Sequence, residues 1–393
     1  MDKKFKIHLQ AFSGGLGQQA INFKAIKSKL DWIFSNFTAS SLIIGWHQNN
    51  QLYRDLKSYM HGMGAKIYLW FPVFSELGYF RTFHPVLDHK GMEISNNKLK
   101  EGENFDFYCP TNNLNIANIK GIYEEYYSGV GFDGIFLDKI RYPSFSNGPE
   151  GIYSCFCQEC QVAMNEYGLD TSGILRLIEA VSTGEKQAGN QALKTIKGYN
   201  NFTYQFEEQL WQSFFEFKSY NISRSIKELS HSFKEAGLEV GLDTFAPFLG
   251  YFVGQDLRQL AGYCDFIKPM FYRNTWAPAG LPFESHLLYK AFNMNSIGSE
   301  LNISKTSAST NWLFPGELVT EEVRALSNLG SRAAIIPGFE VNRYNEIAPI
   351  EPAYVAENLE LFFQSGVEGV ILSWDIMHAP EENLAIVKQF LDN

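Results

Sequence analysis

Four carboxylates in this 393-residue chain are spaced so that they could share one site. Asp138 closes the apolar run Phe132 to Leu137, and Asp243 lies near the end of Leu238 to Phe245. Glu340 lies near the end of Ala333 to Val341, and Asp375 follows the run Glu368 to Trp374. Each run is short, β-branched or aromatic, and bounded by glycine or charge, which is how a buried parallel strand reads. A carboxylate at the end of such a strand must be paired, hydrogen-bonded or used, because leaving it bare in an apolar setting costs several kcal/mol. A buried ion pair between Asp138 and Arg141 would satisfy that demand without any chemistry, and Asp243 could likewise be a partner for Lys268. Four such groups converging on one mouth would repel one another unless used, paired or metal-bound. Paired carboxylates flanked by rings suit cleavage of a glycosidic bond, where one carboxyl protonates the leaving oxygen and the other attacks or activates water.

The rings are present. Trp46, Trp70, Tyr142, Tyr272, Trp276 and Trp374 fall at or just beyond strand ends and offer flat apolar platforms for sugar faces, although any one of them could equally fill the core. Arg141, Lys268 and His378 stand at the same ends as candidate binding groups. Two other functions fit the same residues. A barrel could bind carbohydrate without turnover, or Lys268 could form a Schiff base as in an aldolase. The second requires a desolvated lysine of depressed pKa, which abundant neighbouring carboxylates oppose. Cys155, Cys157 and Cys160 form a CxCxxC cluster, and with Cys109 or a histidine as fourth ligand they could hold a structural zinc; packing as bare thiols is the alternative. Catalysis itself requires no cofactor on this reading. Iron–sulfur radical chemistry would want CxxxCxxC, and a metal-dependent amidohydrolase would want HxH on the first strand. Neither is found.

The elements that must position these groups follow one pattern: a helix ends on glycine, and a β-branched or aromatic run follows. Eight strands are expected, at Lys6 to Phe12, Ser41 to Trp46, Lys66 to Pro72, Phe132 to Asp138, Leu238 to Phe245, Asp265 to Tyr272, Ala333 to Val341 and Glu368 to Asp375. Amphipathic segments alternate with them, among them Ile21 to Phe37, Gln51 to Met60 and Asn115 to Tyr127. Pro352 and Pro380 open further helices at Tyr354 to Gln364 and Glu381 to Leu391. Strands alternating with helices predict an α/β (β/α)8 TIM barrel. A doubly wound sheet is the weaker reading, since no GxGxxG follows the first strand. The whole chain, 1–393, is read as one barrel with long βα loops after strands three, four and six. The stretch 141–237 is a helical, cysteine-containing insertion, with Lys186 to Asn201 as a polar linker inside it.

A net charge of −10 without any Lys/Arg cluster argues against nucleic acid or an anionic membrane as partner. A neutral carbohydrate suits it, and the 15% aromatic content exceeds what a core needs. The N-terminus lacks an apolar stretch before Gln10, so no secretory signal is read there, and no run is long enough to span a bilayer. Five cysteines, an odd number with three crowded together, suit a reducing compartment, so a cytoplasmic location is expected. Oligomeric state is not legible.

The segment Phe132-Asp133-Gly134-Ile135-Phe136-Leu137-Asp138-Lys139-Ile140-Arg141-Tyr142-Pro143 resembles the FDGIxLDxIRYP signature of the glycoside-hydrolase-like (β/α)8 barrels, a largely uncharacterised group of carbohydrate enzymes. Asp265 to Tyr272 and Gly366 to Trp374 are similar to the sixth and eighth strands of those barrels. The resemblance implies hydrolysis of O-glycosyl bonds, with Asp138 as leading active-site residue and Arg141 and Tyr142 shaping the pocket. Many retaining glycosidase barrels place carboxylates on strands four and seven. That similarity favours Asp138 with Glu340 over Asp138 with Asp243 or Asp375. Glu340 lies beside Phe339 and an apolar run, and Asp138 is near Arg141, so burial should raise the first pKa and the cation lower the second. Glu340 is then the expected acid/base, Asp138 the nucleophile, and retention the expected outcome.

Overall fold

The computed structural model describes residues 5–17, 20–94, 105–183, 192–295 and 313–393. Eight parallel strands close into a barrel with helices around it. The first four are β1 (Lys6–Phe12), β2 (Ser41–Gly45), β3 (Lys66–Pro72) and β4 (Gly134–Asp138). A small antiparallel hairpin, β5 (Ile196–Tyr199) and β6 (Tyr204–Phe206), intervenes. The barrel then resumes with β7 (Glu239–Phe245), β8 (Phe266–Met270), β9 (Ala334–Ile335) with β10 (Gly338–Glu340), and β11 (Gly369–Ser373). Closure is explicit in the ladder, since β1 pairs with both β2 and β11, in register Leu9↔Leu42 and Leu9↔Leu372.

Seven of the eight strands fall where the apolar runs place them, to within two residues at either end. The seventh is broken. Ala333 to Val341 forms two short pieces, β9 on β8 and β10 on β11, because Pro337 has no N–H to give the ladder. The ring still holds around the break: Ile336 N–H donates to Ile267 O, and Pro337 O accepts from Ile371 N–H, each at 2.9 Å.

Helices pack outside on the alternate face of each strand. The helix Phe23–Asn36 buries Ile26, Leu30 and Ile33 at three- and four-residue spacing, and Asn22 Oδ1 caps its start by accepting from Ala25 N–H at 2.9 Å. Turns back into strands need a left-handed residue. Gly366, at φ +77° with open space where a Cβ would stand, shows that the backbone conformation is what asks for glycine there. Inside the barrel, Phe136 stacks on Phe266 at 5.8 Å and Tyr68 meets Phe266 edge-on at 5.4 Å, filling the lower interior. Gln10, Asp138, Asp243 and Lys268 follow these rings toward the C-terminal mouth, while His8 and Ser41 meet at the other end, Nδ1 to Oγ at 2.8 Å.

After β4 the chain runs through the helices Gly148–Ile152, Gln158–Tyr167 and Thr171–Thr183, then the β5–β6 hairpin, then the 27-residue helix Gln209–Glu235. The polar linker expected over Lys186 to Asn201 falls partly outside the described residues; the remainder carries β5, which pairs with β6. The long helix belongs to two bodies. Its first half packs under the insertion, where Tyr153 stacks on Trp211 at 4.9 Å and Phe156 on Phe214 at 5.9 Å. Its second half is barrel wall, with a Lys120–Glu228 ion pair at 2.8 Å and Tyr123 against Phe233. Among the described residues, no helix is long and apolar enough to cross a membrane.

Candidate active site

Strand register brings two carboxylates side by side. β4 and β7 pair through Leu137↔Leu242, so the next position places Asp138 beside Asp243 at the C-terminal mouth. Asp138 is 8% exposed. Its Oδ2 accepts from Trp70 Nε1 at 2.9 Å, and its Oδ1 accepts from the Lys139 backbone N–H at 2.5 Å. The tryptophan on β3 therefore aims the carboxylate, and Trp70 in turn packs on Trp46 and Phe12 at 5.7 and 6.2 Å. Trp46 also meets Phe105 at 6.1 Å, and Lys139 Nζ lies 4.7 Å over the Trp46 ring. Asp138 thus sits at the foot of an aromatic wall built from the ends of β1, β2 and β3.

Asp243 is buried, with Oδ2 accepting from Lys268 Nζ at 3.2 Å. Lys268 is fully enclosed and donates twice more, to Gln10 Oε1 and Tyr272 Oη, each at 2.7 Å. Gln10 Oε1 also accepts from Ser373 Oγ at 3.1 Å, so β1, β7, β8 and β11 are tied together across the barrel. Asp243 Oδ1 has no hydrogen-bond partner among the described residues. Gln10 Nε2 lies close enough to favour the charged carboxylate but not in hydrogen-bonding geometry. Burial pushes the Asp243 carboxyl up to about 7, with the negative Asp138 adding to the rise and Lys268 opposing it. Burial also lowers Lys268, against Asp243 and Asp138, which favour its charge. For a pair enclosed this fully both shifts point to neutrality, and the rise at Asp243 is the firmer. Burial drives it and the second carboxylate adds to it, whereas Lys268 keeps three acceptors that reward its charge.

The other two carboxylates are already committed. Glu340 is fully buried, and burial raises its pKa. Its Oε1 accepts from Asn274 N–H at 2.9 Å and Thr275 Oγ1 at 2.8 Å, and its Oε2 accepts from Tyr354 Oη at 2.5 Å. Glu340 thus holds the loop after β8 to the helix Pro352–Gln364. Asp375 caps the turn after β11: Oδ1 accepts from Met377 N–H at 3.1 Å and Phe12 N–H at 3.3 Å, while Oδ2 meets His378 Nδ1 at 2.8 Å.

Arg141 and Tyr142 lie away from Asp138. No Asp138–Arg141 hydrogen bond forms among the described residues. The guanidinium is sandwiched between the Phe107 and Phe245 rings at 4.8 and 4.6 Å and donates to Tyr142 O at 3.1 Å. Burial lowers its pKa to about 10. Tyr142 Oη meets Thr111 Oγ1 of the segment after β3 at 3.3 Å and Asn221 Nδ2 of the long helix at 3.4 Å. Trp374 stacks on Tyr344 at 5.1 Å and Tyr344 meets His378 at 4.9 Å, forming a second aromatic patch. Trp276 packs edge-on against Phe283 at 5.7 Å.

Sequence reasoning did not single out Gln10, Ser373 or Glu284. Gln10 carried a usable signal, a polar residue inside the apolar run Leu9 to Phe12. Glu284 carried none: it is a helical residue that accepts from Ser144 Oγ at 2.8 Å and Ser146 N–H at 3.2 Å, pinning the strand-four loop from 140 positions away. The cysteines come together as well: the sulfurs of Cys109, Cys155, Cys157 and Cys160 all lie within 4.8 Å of one another, all buried.

No family profile matches the sequence, and a search of curated proteins finds no match. Solved structures do match in fold. The chain is similar to the PgaB (BpsB) glycoside hydrolase domain from Bordetella bronchiseptica at a TM-score of 0.58 and 13% identity, covering 98% of both chains. It is similar to a β-galactosidase from the psychrophilic Marinomonas ef1 at a TM-score of 0.57 and 11% identity, covering 98% of this chain and 59% of that one. It is also similar to α-L-fucosidase isoenzyme 2 from Paenibacillus thiaminolyticus, at 0.54 and 11%, covering 99% of this chain and 49% of that one. The chain thus shares a (β/α)8 barrel fold with these structures and spans about half to three-fifths of the length of the last two.

Proposed function

We propose that the protein hydrolyses glycosidic bonds of a neutral oligosaccharide or glycoside, with Asp138 and Asp243 as the working carboxylates. One observation carries this reading: two adjacent carboxylates at the barrel mouth, one of them held near neutrality by burial and by the charge of the other. Asp243, whose carboxyl burial raises to about 7, serves as the acid, and its Oδ1, which accepts no hydrogen bond among the described residues, is the atom that would carry the proton. Asp138, aimed by Trp70, serves as nucleophile or base. The wall of Trp46, Trp70 and Phe12 supplies the apolar face for a sugar ring. Glu340 is set aside as acid because both its oxygens are already held by three donors. The fold shared with glycoside hydrolases supports the reaction class and leaves the sugar open.

The decisive experiment is a panel of chromogenic glycosides and neutral oligosaccharides with product analysis, the anomer formed first distinguishing retention from inversion. Absence of turnover across the panel, with glycan binding retained, would replace this reading with a non-catalytic carbohydrate-binding barrel. That second reading has its own observation, since both oxygens of Asp138 already accept hydrogen bonds. A Schiff-base aldolase fits less well, because Lys268 is fully buried and all three of its N–H groups have acceptors. Borohydride trapping with a keto substrate tests it.

A further inference from the structure

We propose that Cys109, Cys155, Cys157 and Cys160 form a tetrathiolate zinc site, with Lys218 as its buried counter-cation, that staples the loop after β3 to the insertion after β4. Cys109 comes from the first of these segments and the other three from the second, so the four meet only in the folded chain. Cys109 Sγ lies 3.5 Å from Cys157 Sγ and 3.4 Å from Cys160 Sγ. Zinc at about 2.3 Å from each of four sulfurs puts neighbouring sulfurs about 3.8 Å apart, so these two separations need to open by a few tenths of an ångström and none of the others, all within 4.8 Å, needs to close by more than about 1 Å. Its composition, four sulfurs and nothing else, is that of a closed structural site with no position left for water.

The surroundings suit thiolates. Cys155 Sγ receives the backbone N–H groups of Leu87 at 3.3 Å and Cys157 at 3.5 Å, while the Cys160 thiol donates to Thr111 Oγ1 at 3.3 Å. Donors aimed at sulfur are weak partners for neutral thiols and good ones for charged sulfur. Four thiolates around one divalent zinc leave two negative charges in a buried site. Lys218 answers them. It is 1% exposed and donates to Ile152 O at 2.9 Å; burial lowers its pKa, and the nearby Cys155 and Cys160 oppose that fall. No carboxylate pairs with it among the described residues, so a charged lysine here has no counter-ion other than the cluster. Thr111 also contacts Tyr142 Oη, and Lys218 Nζ lies 5.0 Å over the Tyr142 ring. The site therefore reaches the segment that leaves β4, four residues beyond Asp138.

Elemental analysis of protein purified without chelator should find one zinc per chain. Replacement by cobalt should give the intense visible bands of a tetrahedral thiolate site. Cys157→Ser and Cys160→Ser should lose the metal. Lys218→Met, which keeps the length of the side chain and removes its charge, should retain the fold and weaken zinc affinity by about 10- to 100-fold, the usual cost of removing an outer partner. Full-length protein that carries no zinc, takes up none from added zinc chloride and shows no cobalt bands would overturn the site. So would a mass two hydrogens lighter per cysteine pair, because disulfides would then explain the proximity, and iron in place of zinc would overturn the metal assignment. If the serine variants fail to fold, the cobalt spectrum of the wild type still decides. Lys218→Met holding zinc as firmly as the parent would remove the counter-cation.

Discussion

Lys268 and Asp243 face each other on adjacent strands, Nζ to Oδ2 at 3.2 Å, with side chains 0% and 2% exposed. Asp138 stands on the other side of Asp243, so one carboxyl is shared between a cation and an anion. Its proton is governed by three groups at once.

That arrangement fixes a pH dependence. The Asp243 carboxyl rises from its ordinary 3.8 to about 7 on folding, so the native state holds a proton that the unfolded chain has lost. The stability this contributes is full below about 4 and is lost as pH rises through about 7. Turnover should fall over the same upper limb, since the acid must be protonated. Asp243→Asn should remove most of the activity and flatten the stability slope between those values. A variant whose stability keeps the parental slope would show that another group carries the titration.

Asp138→Asn should lower kcat by about 10²- to 10⁴-fold and leave Tm nearly unchanged. The side chain keeps its shape and can still accept from Trp70 Nε1, so the fold has little to lose. Thermal unfolding many degrees lower, with bound glycan still protecting the folded fraction, would mark Asp138 as a structural residue.

Trp70→Phe separates platform from aim. The ring remains while the Nε1 donor to Asp138 disappears. Hydrogen bonds to charged groups are worth about 1.5–3 kcal/mol, so a loss of roughly 10- to 100-fold in kcat with KM little altered is expected. A change confined to KM would mean that the indole serves only as a sugar platform.

Glu340→Gln should do the reverse of Asp138→Asn. The amide cannot accept from Asn274, Thr275 and Tyr354 as the carboxylate does, and a destabilisation of about 1–3 kcal/mol is expected with kcat within tenfold of the parent. Collapse of kcat at unchanged Tm would restore Glu340 as the acid.

The barrel was legible because parallel strands buried on both faces announce themselves as apolar runs, and the turns into them end on residues such as Gly366. The break at Pro337 was missed, although a proline inside an expected strand argues against an unbroken ladder. The site was less legible. Sequence can say that Asp138, Asp243, Glu340 and Asp375 sit near strand ends. It cannot say which of them the loops will occupy. Glu340 is filled by Asn274, Thr275 and Tyr354, and Asp375 by backbone N–H groups of its own turn and of Phe12. Those donors are set by loop paths rather than by strand periodicity. Arg141 shows the same limit: three positions from Asp138, it leaves that carboxylate for two rings, Phe107 and Phe245, that come from elsewhere in the chain.

The helix Gln209–Glu235 is shared by insertion and barrel wall, and this restricts how the protein could be shortened. A cut that removed 148–208 would strip the cover from Trp211, Phe214 and Phe215, which are fully buried. Aromatic side chains of this size bury about 150–250 Å² each, so the scar would be an apolar patch near the upper end of what a soluble surface tolerates. The insertion cannot be trimmed like an ornament; it is the lid of a joint, and any minimal version of this barrel has to be given a new start to that helix.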